Sequence, residues 1–229
     1  MLITLFTIVV VIFSAILHEY AHGWVAYKLG DSTARDAGRL TLNPLAHLDP
    51  VGSVLVPAIL ILSNSSFFIA WAKPVPYNPY NLRDQKYGDL KVALGGPGTN
   101  FIIAIFFGIL ARFLPVMGTL KETLAVAFFS GDNGAVLSGI TGSLPASIFV
   151  LSIIICFVNL LLGLFNLIPV PPLDGSKVLL TFLPYNLRLS YYKLEPYGFI
   201  IVLLLVWLGL LNFILSGLLF RLFSLITGL

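Results

Sequence analysis

The amino-acid sequence predicts an all-α polytopic membrane protein with four to six transmembrane helices, a re-entrant hairpin, and short irregular or β-like loops. Three observations support this fold class: 58% of the 229 residues are hydrophobic, only 10% are charged, and four long stretches are mainly apolar. A soluble domain carries about 25% charged residues, so this chain lacks the charge to cover a water-exposed surface. The composition therefore argues against a soluble enzyme, a disordered chain and a nucleic-acid-binding protein. The single cysteine, Cys156, excludes an intrachain disulfide and a zinc–thiolate cluster.

Four stretches are long enough to cross the hydrocarbon core of a bilayer, which takes about 20 apolar residues in a helix. The predicted spans are Leu2 to Leu29, Phe101 to Met117, Leu144 to Ile168, and Tyr197 to Phe220. The second span is the shortest and can extend back to Pro97, because proline is favoured in the first turn of a helix. We therefore predict that this helix begins near Gly96-Pro97-Gly98, where the glycines allow close helix packing.

A fifth stretch, Val51 to Trp71, is apolar but contains Pro57 and the turn cluster Ser63-Asn64-Ser65-Ser66. It is either one kinked span or a hairpin that enters and leaves the bilayer on the same side. Three clusters of basic residues lie outside the predicted spans. The first cluster follows the first span and contains Lys28, Arg35 and Arg39. The second follows Val51 to Trp71 and contains Lys73, Arg83, Lys86 and Lys91, and the third lies between the last two spans and contains Lys177, Arg188 and Lys193. The positive-inside rule places all three clusters in the cytoplasm, which requires that Val51 to Trp71 does not cross. A re-entrant hairpin, shielded from lipid by protein, is therefore favoured.

The connections between the predicted spans are too short to fold by themselves. The longest are Asp31 to Pro50, Lys73 to Gly96, and Gly118 to Ser143. We therefore expect residues 1-229 to form a single membrane-embedded domain. The first apolar stretch has no basic residues before it and no small-residue cleavage site after it, so we expect it to be retained as a helix. The expected location is the cell (plasma) membrane, as a multi-pass integral protein.

The first predicted helix ends with a motif that is typical of metal binding, His18-Glu19-x-x-His22. Residues four apart lie on the same face of a helix, so both imidazoles can bind one zinc ion. Glu19 lies beside them and can act as a general base on a water molecule at the metal. Ionisable side chains at membrane depth are costly and mark function. The alternative interpretation is two histidines at the membrane interface and a glutamate that extends towards water, which rarely produces this spacing.

A catalytic zinc site takes three protein ligands and leaves one position for water. With no suitable cysteine, the third ligand is His47, an aspartate or a glutamate. Asp174 is the strongest candidate, because three prolines break a long apolar helix between Asn166 and Asp174. Such irregular backbone is tolerated at membrane depth only beside protein or a water-filled cavity. The alternative interpretation is a Pro-Pro-x-Asp-Gly turn that caps a short helix.

Three sequence elements carry a resemblance to a known family: His18-Glu19-x-x-His22, Asn166-x-x-Pro169 leading to Leu173-Asp174-Gly175, and Gly96-Pro97-Gly98-Thr99-Asn100. Together they resemble the site-2 protease family of intramembrane zinc metalloproteases, in its short branch without a PDZ domain. The third element is similar to the Gly-Pro-x-x-Asn element of that family. The resemblance implies that His18, His22 and Asp174 bind one Zn²⁺ ion per chain. It also implies that Glu19 activates water and that Asn166 helps to position the substrate carbonyl.

The resulting hypothesis is an intramembrane zinc endopeptidase that hydrolyses peptide bonds in transmembrane or membrane-proximal segments of membrane proteins. Zinc-activated water attacks the carbonyl, with Glu19 as general base and Asn166 as donor to the developing oxyanion. The expected partners are a membrane-protein substrate and the lipid bilayer, without nucleic acid, and the active site faces the cytoplasmic side. A substrate helix must unwind to expose its carbonyls. An edge strand from Lys73 to Tyr77, or from neighbouring residues, could hold the unwound peptide by strand addition. The prolines of this segment are equally consistent with a plain loop.

Two other functions agree with part of the sequence. A divalent-metal transporter or channel also uses broken helices and buried His, Glu and Asp residues, but the chain shows no paired broken segments in two halves. The second alternative is a catalytically silent membrane adaptor, but such a protein does not need the complete set of His, Glu and Asp residues.

The role of His47, in the loop after the first helix, is open. It could touch a zinc ligand or face the substrate, and a turn or capping role at the membrane interface is equally consistent with its position.

Overall fold

A computed structural model describes residues 2–49 and 73–229, together with residues 52, 55 and 59, and leaves out the side chains of residues 212–214. The helices are α1 (Leu2–Lys28), α2 (Thr33–Asp36), α3 (Gly88–Phe113), α4 (Gly118–Phe129), α5 (Asn133–Ile140), α6 (Leu144–Asn166), α7 (Asp174–Phe182), α8 (Tyr185–Tyr192), α9 (Gly198–Trp207) and α10 (Leu210–Thr227). Short 3₁₀ turns lie at Pro44–His47, Pro79–Asn81 and Glu195–Tyr197. None of the described residues lies in a strand. The predicted hairpin, Val51 to Trp71, lies outside the described residues apart from those three isolated positions.

Four stretches of the described chain are long and apolar enough to cross a membrane: α1, α3, α6, and residues Tyr185–Trp207, which include α8 and α9. They confirm the predicted fold class, an all-α polytopic membrane protein. α6 is the most deeply buried of the four. It packs against α3, which in turn packs against α1, while α10 contacts both α6 and α3. The short helix α7 also lies against α3, so that α1, α6, α7 and α10 all pack around α3.

The hydrophobic core lies around α6, where Phe149 and Ile153 are fully buried. Small residues on α3 let its neighbours approach closely. A Cβ atom at Gly108 would lie 2.5 Å from Ile226 of α10 and 3.0 Å from Sγ of Cys156 of α6, so a larger residue would push these helices apart. The outer face of α1 exposes a row of large apolar side chains, a surface suited to contact with lipid.

The first and third predicted spans are confirmed to within two residues, as α1 and α6. The fourth, Tyr197 to Phe220, is not one continuous helix, because the chain breaks between α9 and α10. Gly209 at this break has a φ of 69°, a left-handed conformation that glycine adopts without steric cost. The predicted connection Gly118 to Ser143 is largely helical, forming α4 and α5, because Leu124 and Val136 are buried in the core and hold these helices against the bundle.

The predicted start of the second span near Pro97 is wrong. α3 begins at Gly88, and Pro97 lies buried inside the helix. The charged residues Asp89 and Lys91 lie in the first turn of α3, where the carboxylate of Asp89 interacts favourably with the helix dipole. A proline inside a helix removes one backbone hydrogen bond, and the packing of α3 against α1 and α6 offsets this loss.

Asp31 joins the loop after α1 to the segment that precedes α3 through hydrogen bonds. Its buried carboxylate accepts hydrogen bonds from the hydroxyl of Thr33 at 2.6 Å, the backbone N–H of Asn78 at 2.8 Å and Nδ2 of Asn81 at 2.8 Å. Burial by itself raises the pKa of Asp31, but these hydrogen bonds outweigh it and hold the pKa below its ordinary value. The carboxylate therefore stays ionised and keeps the segment before α3 against the end of α1, beside the candidate site.

Candidate active site

Three side chains from two helices converge at one point: His18 and His22 on α1, and Asp174 at the first residue of α7. Nε2 of His18 lies 3.0 Å from Nε2 of His22, and each of these atoms lies 3.1 Å from Oδ2 of Asp174. None of the three residues is more than 8% exposed. The structure therefore brings together the two histidines of the motif and the aspartate that the sequence favoured as a third ligand.

Hydrogen bonds on the far side of each imidazole determine which ring nitrogen carries the proton. Nδ1 of His22 lies 2.7 Å from the carbonyl oxygen of Val92, and Nδ1 of His18 lies 2.6 Å from Oδ1 of Asn100. Because both partners are acceptors, both Nδ1 atoms are protonated and donate. In the neutral imidazoles the two Nε2 atoms then present lone pairs to the carboxylate of Asp174.

This donor set fits zinc. Two nitrogen lone pairs and a carboxylate oxygen, separated by 3.0–3.1 Å, repel one another unless a cation or a proton lies between them. Zinc binds imidazole nitrogen and carboxylate oxygen at about 2.0–2.2 Å in tetrahedral geometry, which places neighbouring ligand atoms about 3.3–3.5 Å apart. The observed spacing needs only a small outward adjustment to accept the ion. A set of three protein ligands is typical of catalytic zinc sites.

The start of α7 lies directly on the end of α6, and Gly175 makes this approach possible. A Cβ atom at position 175 would overlap the backbone carbonyl groups of Leu167 and Ile168. The prolines between the two helices prevent α6 from continuing and give the chain room to turn back. The Asp-Gly pair therefore acts as a unit, because the glycine permits the contact that places the carboxylate of Asp174 beside the histidines.

Gly96 of α3 lies directly against the Nε2 side of the two imidazoles. A Cβ atom at this position would lie 2.6 Å from both Cε1 and Nε2 of His18, and it would overlap Nε2 of His22. Gly98, on the same helix, has open space at the corresponding position. The Gly-Pro-x-x-Asn element thus contributes to the site twice, since Gly96 leaves space for the imidazoles and Asn100 accepts a hydrogen bond from one of them.

Glu19 lies half-buried at the same site, and its Oε2 accepts a hydrogen bond of 2.9 Å from the backbone N–H of Val75. Together with the three candidate ligands, Glu19 lines a cavity of about 130 Å³. A cavity of this size holds several water molecules, which peptide hydrolysis requires and which a bundle of apolar helices otherwise excludes. The other lining residues are Pro74, Val75, Tyr77, Asn166, Pro172 and Lys177.

The segment Lys73 to Tyr77 does not form the predicted edge strand. Its two prolines have no N–H group. The N–H of Lys73 donates to the carbonyl oxygen of His47 at 2.9 Å, and the N–H of Val75 is taken by Glu19. Strand addition depends on main-chain hydrogen bonds, and the N–H groups of Lys73 and Val75 are already occupied within the protein. The segment instead holds Glu19 and forms one wall of the cavity.

Of the two other site residues that the sequence predicts, Asn166 lies at the cavity and His47 does not. Asn166, the last residue of α6, lines the cavity, and one of its amide N–H groups donates to the carbonyl oxygen of Leu162 at 3.0 Å. An asparagine amide has two such donors, so a second can serve a substrate. His47 is not among the residues that line the cavity, and its Nε2 bonds to the carbonyl oxygen of Thr41 at 2.8 Å. The structure therefore brings Asn166 to the site and leaves His47 in the loop after α1.

The cavity also contains two ionisable residues, Tyr77 and Lys177, that the sequence did not mark as site residues, although Tyr77 belongs to the segment expected to hold the substrate. Burial, together with the hydrogen bond from its hydroxyl to Asp89, raises the pKa of Tyr77, so the phenol stays protonated. The ammonium group of Lys177 lies 4.8 Å from the centre of the Tyr77 ring. The sequence does contain an indication that Lys177 lies at the site, because Lys177 follows Asp174 by three residues and therefore shares its helix face. Tyr77 comes from an irregular loop, where no periodic pattern marks the cavity side.

Comparison with known proteins assigns the class and the family. The model of Peptidase family M50 matches residues 80–209 of the chain. Over 200 residues the chain is 36% identical to "Putative zinc metalloprotease YwhC" of Bacillus subtilis, an alignment that covers 87% of this chain and 79% of that protein. The fold and the site thus define a zinc metalloprotease built on membrane-spanning helices. The chain belongs to peptidase family M50, the site-2 protease family.

Two mycobacterial relatives are more distant. "Putative zinc metalloprotease Rip2" of Mycolicibacterium smegmatis is 27% identical over 201 residues, which is 87% of this chain and 65% of that protein. "Putative zinc metalloprotease Rip3" of Mycobacterium tuberculosis is 29% identical over 132 residues, which is 56% of this chain and 27% of that protein. No solved structure matches the chain at comparable significance. The family implies zinc as the metal of the site.

Gly96→Ala is expected to disrupt the metal site while leaving α3 intact. The added methyl group overlaps both imidazoles, so at least one must leave the position that faces Asp174. We expect zinc affinity to fall at least about 10-fold, the loss that accompanies disturbed support of a ligand, measured by competition with a chromogenic chelator. Gly98→Ala is the matched control, because it makes the same change on the same helix in open space. Equal zinc affinity in the two variants would contradict the close approach of Gly96 to the two imidazoles.

Proposed function

We propose that this protein is an intramembrane zinc endopeptidase, which hydrolyses peptide bonds in transmembrane or membrane-proximal segments of membrane proteins. The observation that carries the proposal is the convergence of His18, His22 and Asp174 with Glu19 at one cavity inside a bundle of apolar helices. The cavity takes its walls from α1, α6, α7 and the segment before α3. Because these parts come from most of the chain, residues 1–229 act as a single membrane-embedded domain.

In this proposal, the two histidines and Asp174 hold one Zn²⁺ ion per chain. When bound, zinc acidifies a water molecule and polarises the scissile carbonyl group. Val92 and Asn100 hold the imidazoles so that both Nε2 atoms are turned towards the ion. The carboxylate of Asp174 supplies a negative charge that offsets part of the charge of the dication in a site shielded from solvent.

Glu19 acts as the general base. Its Oε2 is held by the N–H of Val75, and its other carboxylate oxygen takes a proton from the attacking water. The carboxyl group then returns that proton to the leaving amide nitrogen, so that one water molecule is consumed as the C–N bond breaks. Asn166 donates an amide N–H to the scissile carbonyl oxygen as negative charge develops on it.

The surroundings of the cavity favour a membrane segment as the substrate. The outer faces of the helices are apolar, so a peptide that approaches through lipid meets a compatible surface. A helical substrate must unwind locally, because intrahelical hydrogen bonds occupy its carbonyl groups. Pro74 and Pro172 line the cavity and provide apolar walls for the unwound segment.

We further propose that the site faces the cytoplasmic side of the cell (plasma) membrane. Lys28 ends α1, less than two turns after His22. The N–H of Arg83 donates to the carbonyl oxygen of Leu29 at 2.8 Å, which joins a second basic segment to the same end of the bundle. Lys91 lies near the start of α3, beside that segment. The positive-inside rule places such an end in the cytoplasm.

Reconstitution tests the proposed function against metal transport. The purified protein is placed in liposomes with a transmembrane reporter peptide, and a zinc-sensitive dye is enclosed in matched liposomes. We expect cleavage within or next to the reporter's membrane segment, abolished by a zinc chelator and restored by added zinc. Zinc flux into the liposomes without cleavage of the reporter would contradict the protease and favour a transporter.

A further inference from the structure

Three polar side chains lie buried between α1, α3 and α6, beyond the candidate ligands: Ser14, Asn100 and Asn159. Ser14 is 4% exposed, and both asparagines are 0% exposed. Unpaired polar groups are costly in such surroundings, and each of these side chains is hydrogen-bonded. Together they form a continuous chain of hydrogen bonds that ends on His18.

The direction of these hydrogen bonds follows from a group that can only accept. Nδ2 of Asn159 lies 2.9 Å from the backbone carbonyl oxygen of Ile155, which identifies this end of the amide as the donor. The side-chain oxygen of Asn159 then accepts from Nδ2 of Asn100 at 2.9 Å. The oxygen of Asn100 is therefore turned towards Nδ1 of His18, which must donate to it.

Ser14 supports the same arrangement from α1. Its hydroxyl accepts a hydrogen bond of 2.9 Å from Nδ2 of Asn159. It precedes His18 by four residues, so the two side chains share a helix face. If the amide of Asn100 flipped, its NH₂ group would face Nδ1 of His18 and its oxygen would face the oxygen of Asn159. The imidazole would then carry its proton on Nε2, the nitrogen that faces the metal position.

We propose that Ser14 and Asn159 are positioning residues of the zinc site, which act through Asn100 to keep the proton of His18 on Nδ1. Nε2 of His18 is thereby left free to bind metal. The inference rests on the zinc site of the proposed function. His22 does not depend on this chain of side chains, because its Nδ1 donates to the backbone carbonyl of Val92, which no side-chain substitution removes.

Asn159→Leu tests the proposal, since it replaces the amide with an apolar side chain of similar size. Asn100 loses its main acceptor and keeps only a longer contact of 3.5 Å with the carbonyl oxygen of Ser14, so its amide is held less firmly in one orientation. We expect zinc affinity, measured by chelator competition, to fall about 10- to 100-fold. In proton NMR of the zinc-loaded protein, the hydrogen-bonded Nδ1–H signal of His18 is expected to shift or disappear, while that of His22 stays in place. A general loss of packing would not select one of the two imidazoles.

Two buried serines provide a matched pair of milder variants. Ser14→Ala removes an acceptor within the chain of hydrogen bonds, whereas Ser152→Ala makes the same change at a serine of α6 that is 1% exposed and lies outside it. We expect Ser14→Ala to weaken zinc binding about threefold or more and Ser152→Ala to leave it unchanged. The comparison of these two serine variants tests the positioning role even if Asn159→Leu fails to fold.

Two results would overturn the positioning role: an unchanged His18 signal in Asn159→Leu, or equal zinc affinities in Ser14→Ala and Ser152→Ala. Either result would leave the proposed protease intact if the wild-type protein still binds zinc. A wild-type protein that binds no zinc would instead refute the proposed function, and the positioning role with it. The wild-type zinc content therefore distinguishes the two failures.

Discussion

Glu19→Gln is expected to retain zinc and to lose peptide cleavage. Glutamine has the size of glutamate, and its amide oxygen can still accept the N–H of Val75, so the segment beside the cavity is preserved. The amide cannot take a proton from water, which removes the general base, a contribution of about 10²- to 10⁴-fold in rate. The three candidate ligands are untouched, so zinc content should remain at one ion per chain.

Cleavage of a transmembrane reporter in liposomes and zinc content by mass spectrometry measure the two halves of this prediction. Glu122→Gln is the matched control, because Glu122 is an exposed residue of α4 that does not line the cavity. We expect this control to cleave at the wild-type rate. Full activity in Glu19→Gln would show that Glu19 is not the base, and loss of zinc in that variant would assign it a ligand role instead.

Asp174→Asn is expected to weaken zinc binding more than any change to a residue that only supports a ligand. The carboxamide has no negative charge, and its NH₂ group can donate to the imidazole Nε2 atoms that lie 3.1 Å from Asp174. The variant can thus satisfy the two histidines without a metal. We expect zinc affinity to fall by more than about 100-fold, beyond the range for residues that only orient a ligand.

Chelator competition measures this loss, with Asp36→Asn as the control. Asp36 is an exposed residue of α2 that pairs with Arg35, and the same substitution there should leave zinc affinity unchanged. If Asp174→Asn binds zinc as tightly as the wild type, the third ligand lies elsewhere. His47 is then the first residue to test, as the remaining histidine of the chain.

The residues of the candidate metal site could be predicted because each is marked by a local sequence pattern. The four-residue spacing of His18 and His22 places both side chains on one face of a helix. The charged residue Glu19 in an apolar helix can likewise be recognised without any knowledge of tertiary structure. Asp174 was identified in a similar way, from the prolines that precede it. The hydrogen-bonded chain from Asn159 to His18 could not be predicted, because its residues are 59 to 145 positions apart in sequence and meet only through helix packing.

The elements that differ from the prediction depend on tertiary contacts. Pro97 is typical of a helix start, yet α3 extends through it because α1 and α6 pack on both sides. The break at Gly209 lies inside an uninterrupted apolar stretch, where composition indicates a single span. The segment from Lys73 to Tyr77 could form a strand by its residue types, but the N–H groups of Val75 and Lys73 bind Glu19 and His47 instead. Each of these outcomes depends on a neighbour that the local sequence does not reveal.

X-ray absorption at the zinc edge of the purified protein tests the central claim most directly, that His18, His22 and Asp174 bind one zinc ion. The account predicts one zinc per chain with nitrogen and oxygen neighbours at about 2.0–2.2 Å, two of them imidazoles. It also predicts that Asp174→Asn loses this signal while Asp36→Asn retains it. A sulfur neighbour at about 2.3 Å, which only Cys156 or a methionine could supply, or a metal without imidazole neighbours, would contradict the account.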